Sequence, residues 1–226
     1  MEDTTGISPD HPERRLAVAH APRLARASLA TLFALDERLA SFVWRAKEPT
    51  IGLMRLIWWR DALAALDEVP PPGEPLLHAA AALRPDRIAG HELAAMVEGW
   101  EALLDDPDWS AETMALHGRE RGARLFRLAG RVLGREHERI DAAGEGWALA
   151  DLARQTGDPG KATALLDMAE APLEKGMAGG WPHVLRPLGM LAVLAREDVR
   201  RGHGALRPPA SRWRLLRLLA HRWTGR

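Results

Sequence analysis

Two consecutive stretches of helical apolar periodicity, separated only by a short turn, constrain this chain more than any other feature. From Arg23 to about Ala46, Leu24, Leu32, Leu35, Leu39 and Phe42 predict one long helix. Lys47-Glu-Pro49 breaks it. A second helix follows from Thr50 to about Leu66, with Leu53, Leu56, Ile57, Leu63 and Ala64 on one face at the spacing of a buried stripe. So short a connection makes residues 23–46 and 50–66 an antiparallel pair in the core. Pro70-Pro-Pro-Gly73 is a stiff break after them.

Composition extends the helical reading to the whole chain. Ala, Leu and Arg dominate its 226 residues, Tyr is absent and β-branched residues are few. These are helix formers, and the alternation that marks strands is almost missing. Further helices are expected at 75–84, 87–105, 110–133, 141–156, 160–171, 183–201 and 209–223, and a short one between Ser8-Pro9 and Pro22. Ser110, with Glu112 behind it, is a start signal, and Gly130 and Gly134 mark a fraying end. Gly157-Asp-Pro-Gly160 and Gly176-Met-Ala-Gly-Gly180 read as loops, and residues 1–8 as disordered. With no internal repeat or long linker, residues 1–226 are expected to form one all-α domain.

The 31 basic and 31 acidic residues balance, so no global field points to nucleic acid. The distribution is uneven. Residues 199–226 hold Arg200, Arg201, Arg207, Arg212, Arg214, Arg217, Arg222 and Arg226 and no acid. Cysteine is absent, which excludes disulfides and thiolate chemistry and suits a reducing cytosol. The acidic, polar start is opposite in character to a signal or transit peptide, and no apolar run approaches a membrane span. A soluble, cytoplasmic protein is expected, with the inner face of the cytoplasmic membrane as a peripheral location.

Leu32-Phe-Ala-Leu-Asp36, followed by Gly52-Leu-Met-Arg55 and Trp58-Trp59-Arg60, resembles the squalene/phytoene synthase superfamily over residues 29–66. The resemblance implies a helical bundle of the isoprenoid (trans-prenyl diphosphate) synthase type. Catalytic members of that superfamily condense two prenyl diphosphates, using two aspartate-rich motifs that hold Mg²⁺ and diphosphate. At the corresponding positions this chain carries Ala40, Ser41 and Trp44 in the first motif, and Gln155 and Pro159 in the second, where Asp151 and Arg154 remain. Thr50–Arg55, the proline-rich stretch 70–75, Leu104-Asp-Asp106 and Arg131-Val-Leu-Gly134 are similar to the non-catalytic branch, typified by a mitochondrial assembly factor of respiratory complex I. On that resemblance Mg²⁺ is expected only if the chain is an enzyme, and a respiratory NADH dehydrogenase is the implied client.

Other candidates have simpler readings. Asp36 and Glu37 are expected to be exposed or to cap a helix. Glu98, Glu101 and Asp105, extended by Asp106 and Asp108, predict a solvated acidic face, as do Asp167, Glu170 and Glu174, interrupted by Pro172. Trp58 and Trp59 cannot both face one core stripe. With Arg55 they either serve the structure or line a hydrophobic ligand pocket, open to an isoprenoid or lipid. Arg154 either binds a phosphate or pairs with Asp151 or Asp158. The nine His residues show no ligand spacing, so no metal is assigned. In the basic segment 203–226, Trp213, Leu216, Ala220 and Trp223 form a stripe flanked by Arg212, Arg214, Arg217 and Arg222. That stripe either docks on the bundle or presents a surface to anionic lipid or an acidic partner.

Three functions follow: a non-catalytic assembly or interaction factor, an active prenyl-diphosphate transferase with degraded motifs, or an isoprenoid- or lipid-binding protein.

Overall fold

The computed structural model describes residues 6–86 and 88–226, and every regular element in them is helical. Twelve α-helices follow in order among these residues: α1 (Pro12–Ala19), α2 (Arg26–Trp44), α3 (Pro49–Ala65), α4 (Pro75–Ala81), α5 (Gly90–Ala94), α6 (Glu98–Asp105), α7 (Ala111–His117), α8 (Arg124–Val132), α9 (Ile140–Gln155), α10 (Pro159–Gly176), α11 (Arg186–Arg201) and α12 (Arg212–Thr224). The all-α bundle expected from composition is therefore present. Of the segment 1–8, residues 1–5 lie outside the described residues, and 6–8 follow an irregular path.

α2 and α3 form the expected helical hairpin. Leu29, Leu32, Leu35, Leu39 and Phe42 of α2 are buried at helical spacing. On α3 the buried stripe is Gly52, Leu56, Trp59 and Leu63, while Ala64 is exposed. The stripe runs through Gly52 because the backbones meet there: a Cβ on Gly52 would sit 2.6 Å from the Phe42 carbonyl oxygen.

α9 lies at the centre of the molecule. It is buried nearly all round, through Ala142, Ala143, Trp147, Leu149, Leu152 and Ala153 among others, as a helix enclosed by α7, α8, α10 and α11 must be. Its small residues set how closely the neighbours approach. A Cβ on Gly144 would stand 2.3 Å from the Gly122 carbonyl oxygen, and one on Gly122 would stand 2.2 Å from that of Gly144. Gly122 belongs to one wide turn, Gly118–Ala123, which is π-helical and joins α7 to α8. Such turns recur at functional sites.

Several boundaries differ from the sequence expectation. α1 begins at Pro12 rather than at Ser8-Pro9, with Pro12 in the first turn. α10 starts inside the supposed loop because the Asp158 carboxylate accepts the N–H groups of Gly160 and Lys161. The same helix runs through Pro172 to Gly176 instead of stopping near 171. Ser110 caps α7 as expected, accepting the Thr113 N–H.

Candidate functional site

The polar centre of the bundle is assembled from α1, α2, the π-turn and α9. Asp36 sits on the apolar stripe of α2 between Leu32 and Leu39 and has no solvent exposure. The expectation that it is exposed or a cap is wrong. Arg121, on the π-turn, is equally buried and grips Asp36 with two bonds, Nε to Oδ1 at 2.8 Å and Nη2 to Oδ2 at 2.9 Å. Arg14 of α1 adds a third donor at 2.9 Å, and the Trp100 indole N–H a fourth at 3.2 Å. Asp151 of α9 closes the group, accepting from Arg121 at 2.5 Å, Arg14 at 3.3 Å and Gln155 at 2.9 Å.

Aromatic rings enclose this cluster. The Arg121 guanidinium carbon lies 4.3 Å from the Trp100 ring centroid and 4.9 Å from that of Trp147, and Arg14 lies 5.0 Å from Trp147. His117 is fully buried beside Arg121. Its Nδ1 is 2.6 Å from the Gly99 carbonyl oxygen, which can only accept, so Nδ1 carries the proton and Nε2 accepts from Arg121 at 3.2 Å. Burial, then the Arg121 charge, push the His117 pKa down to about 3 and keep the ring neutral. Burial alone would raise Asp36 and Asp151, but Arg121 and Arg14 outweigh it and hold both carboxyls below their usual range.

The two arginines balance the two aspartates, and Arg14 also stands 3.5 Å from the Glu37 carboxylate. The centre has little to offer an external ion. Both Asp36 oxygens are saturated by guanidinium and indole donors, while on Asp151 the two arginines and Gln155 all donate to Oδ2, which leaves Oδ1 the single oxygen of the pair without such a donor among the described residues. Hard Mg²⁺ requires several free oxygen ligands. The residues present do not fit it.

Beside this cluster opens a cleft of about 900 Å³. Ala40, Ser41 and Trp44 of α2 and Gln155 of α9 all line it, so the two motif regions do face one another across a shared space. Pro159 is not among the lining residues; it is the first residue of α10. Of the carboxylates on the wall, Glu37 accepts the backbone N–H groups of Asp10 and His11 at 2.5 and 3.2 Å, a capping role as expected. Arg154 does line the cleft. Its partners, however, are Asp198 at 3.1 Å and the Arg207 carbonyl, not Asp151 or Asp158.

The Arg55, Trp58 and Trp59 group does not line this cleft. Arg55 is exposed, Trp58 is half exposed on the outer face of α3, and Trp59 is buried against Phe42. Glu101 leaves the supposed acidic face and is buried, pairing with the partly exposed Arg60 through two contacts of 2.9 Å. Asp106 caps α7, accepting from the Ser110 N–H and the Thr113 hydroxyl, which holds its pKa below the usual range. Among the described residues no three acidic or imidazole side chains group as a metal site.

The squalene/phytoene synthase family model matches residues 11–166, which contain the central cluster and most of the cleft wall. The chain belongs to this family. A crystal structure of a dehydrosqualene synthase in complex with ligand is similar to this squalene/phytoene synthase family member in fold, with a TM-score of 0.71 at 16% identity. The similarity covers 94% of this chain and 90% of that one, and makes the architecture the isoprenoid synthase fold. No curated protein matches the chain at comparable strength.

α12, which lies outside the residues matched by the family model, joins the bundle through a second ion cluster. Arg214 donates to Glu13 of α1 at 2.6 and 2.9 Å and to Asp198 of α11 at 2.6 Å, while Arg154 holds the other Asp198 oxygen. Arg214 is therefore buried, not part of the surface rim expected of it. Sequence reasoning missed Arg14, Arg121, Glu13 and Asp198. The legible signal was position: Asp36 and Arg121 occur on the same face as Leu32 and Leu125, four residues away in each case.

Proposed function

We propose that this family member is catalytically silent and acts as an interaction or assembly factor. The observation that supports the reading is the Asp36–Arg121–Asp151–Arg14 cluster between the two helices that carry the motif positions, in which two guanidiniums occupy both Asp36 oxygens and one Asp151 oxygen. Prenyl transfer needs a counter-charge for the departing diphosphate, worth several kcal/mol when supplied by metal. Ala40, Ser41, Trp44 and Gln155 supply no carboxylate to hold such a metal. With Mg²⁺ and farnesyl or geranylgeranyl diphosphate, the pure protein is expected to release no pyrophosphate. EDTA-sensitive release would overturn the reading and favour the transferase. By resemblance to the non-catalytic branch, the client is the respiratory NADH dehydrogenase, to be sought by pull-down from solubilised membranes.

A second reading is favoured by the cleft. Its volume of about 900 Å³ falls within the range of small-molecule sites, and Trp44 and Ala40 give it an apolar wall beside Arg45 and Arg154. An isoprenoid or lipid could occupy it without turnover. Quenching of Trp emission by farnesyl diphosphate in the presence of EDTA, lost in Trp44→Ala, would support that ligand role.

A further inference from the structure

The outer face of α12 is apolar, basic-rimmed and held outward. We propose that it is an interfacial anchor for an anionic phospholipid surface, a role independent of whether the cleft turns over or binds anything.

The inner face of the helix is fully used. Arg214, Leu218 and His221 are buried, with Leu218 packed against Met190 and Leu194 of α11. The C-terminus is clamped as well. Arg186 Nη1 donates to the carbonyls of Arg222 and Trp223 at 3.0 and 2.7 Å, and the Trp181 N–H donates to the Gly225 carbonyl at 2.9 Å. A helix fixed at both ends cannot rotate to hide its other side. On that side Trp213, Leu216 and Trp223 are 64%, 59% and 77% exposed, with Ala220 between them.

Charge decides the occupant. Arg212, Arg217 and Arg222 flank the stripe, the Arg207 guanidinium lies 5.0 Å from the Trp213 ring centroid, no acidic residue occurs between 199 and 226, and Glu197, in the groove beside Trp213, is paired with Arg201 at 2.7 Å. Two copies meeting through this face would bring like charges together, which argues against self-association. An anionic bilayer complements it, because indoles prefer the headgroup boundary and guanidiniums attract phosphate. The stripe is about 15 Å long, and no described helix is long and apolar enough to cross a membrane. The helix would lie in the interface plane.

The test is co-sedimentation of the full chain with phosphatidylcholine vesicles, with and without phosphatidylglycerol. Binding is expected only to the anionic vesicles, and should weaken as NaCl rises from about 0.05 to about 0.5 M. Arg212→Gln/Arg217→Gln/Arg222→Gln should lower the partition coefficient by roughly tenfold to a hundredfold, and the matching Lys triple should retain it. Trp213→Ser/Trp223→Ser should lower it by about tenfold or more. Unchanged circular dichroism and melting would show that these variants still fold. Absence of binding to anionic vesicles, equal binding to zwitterionic ones, or an unaffected Arg triple would each overturn the proposal. So would a dimer in sedimentation velocity that the Trp variants disperse. None of these outcomes bears on pyrophosphate release.

Discussion

The two ion clusters are built from the same parts and do different work. Each joins two arginines to two carboxylates. A void of about 20 Å³, room for roughly one water, lies between them and touches Arg14 and Asp151 on one side and Glu13, Asp198 and Arg214 on the other. In the central cluster every oxygen of Asp36 is doubly engaged, and both Asp36 and Asp151 titrate below the usual range. The outer cluster is split: burial dominates at Asp198 and raises its pKa despite Arg214 and Arg154, whereas at Glu13 burial is outweighed by Arg214 and the pKa falls. The inner group is over-compensated at both of its aspartates. The outer one is a joint, linking residue 13 to residue 214, with less electrostatic surplus. One bundle can thus hold a self-sufficient polar centre and still keep a looser ionic seam at its edge.

Removing one arginine from each cluster should expose this difference. Arg121→Met leaves Asp36 with half its donors and Asp151 without its closest one. Breaking a buried pair in this way costs about 3–5 kcal/mol. For a domain of this size the melting temperature should fall by roughly 6–20 °C. Arg214→Met should lower it distinctly less, because the loss is confined to the joint. Its signature should be faster hydrogen exchange across α12, with protection of α9 retained. Equal melting shifts, or loss of α9 protection in both variants, would break the distinction.

Acid should load both regions through histidine. His117 is pushed down to about 3 by burial and Arg121, and His221 to about 4 by burial and the nearby Arg217 and Arg186 charges. Both rings are neutral in the fold but take a proton in the unfolded chain below about pH 6.5. The unfolded state therefore gains protons first, and stability falls as pH drops from about 6.5, until each ring charges in the fold as well. Each contributes a loss on the order of 2–4 kcal/mol by pH 4. His11, lowered by burial and the Arg14 charge, adds to the same slope; denaturant titrations across this range should show it, and His221→Gln should make it shallower. A wild-type curve flat between pH 6.5 and 4 would contradict the burial of both rings.

The fold was legible because α2 and α3 follow from apolar spacing broken at Lys47-Glu-Pro49, and the other helices from a composition of helix formers punctuated by Pro and Gly. The family resemblance was legible in Leu32–Asp36 and Gly52–Arg60, and the motif substitutions at Ala40, Ser41, Trp44 and Gln155 do line one cleft. The central cluster was not legible, since charged residues at buried positions look like solvated ones until their partners are known. Asp36 is 85 residues from Arg121, and Arg14 is 137 from Asp151. Arg214 misled for the same reason: amid exposed arginines, nothing local separates the one whose partners are Glu13 and Asp198. Pro172 misled because a helix interrupted by proline in sequence can still continue when its neighbours pack it.

The smallest expected effect separates the two faces of α12. Leu218 is fully buried in a small apolar group with Met190 and Leu194, so Leu218→Ala should cost about 2–5 kcal/mol. His221 on the same face is packed so closely that a Cβ on Gly189 would stand 2.1 Å from its Nε2, and Gly189→Ala should also loosen the helix. On the opposite face Trp213 and Trp223 contribute almost nothing to packing. Trp213→Ser and Trp223→Ser should each change stability by no more than about 0.5 kcal/mol, as surface substitutions do. A pair of large indoles without a structural role is what a docking surface requires. If either substitution instead lowers stability by as much as Leu218→Ala, that indole is packed in solution, and the two-faced description of α12 fails at that residue.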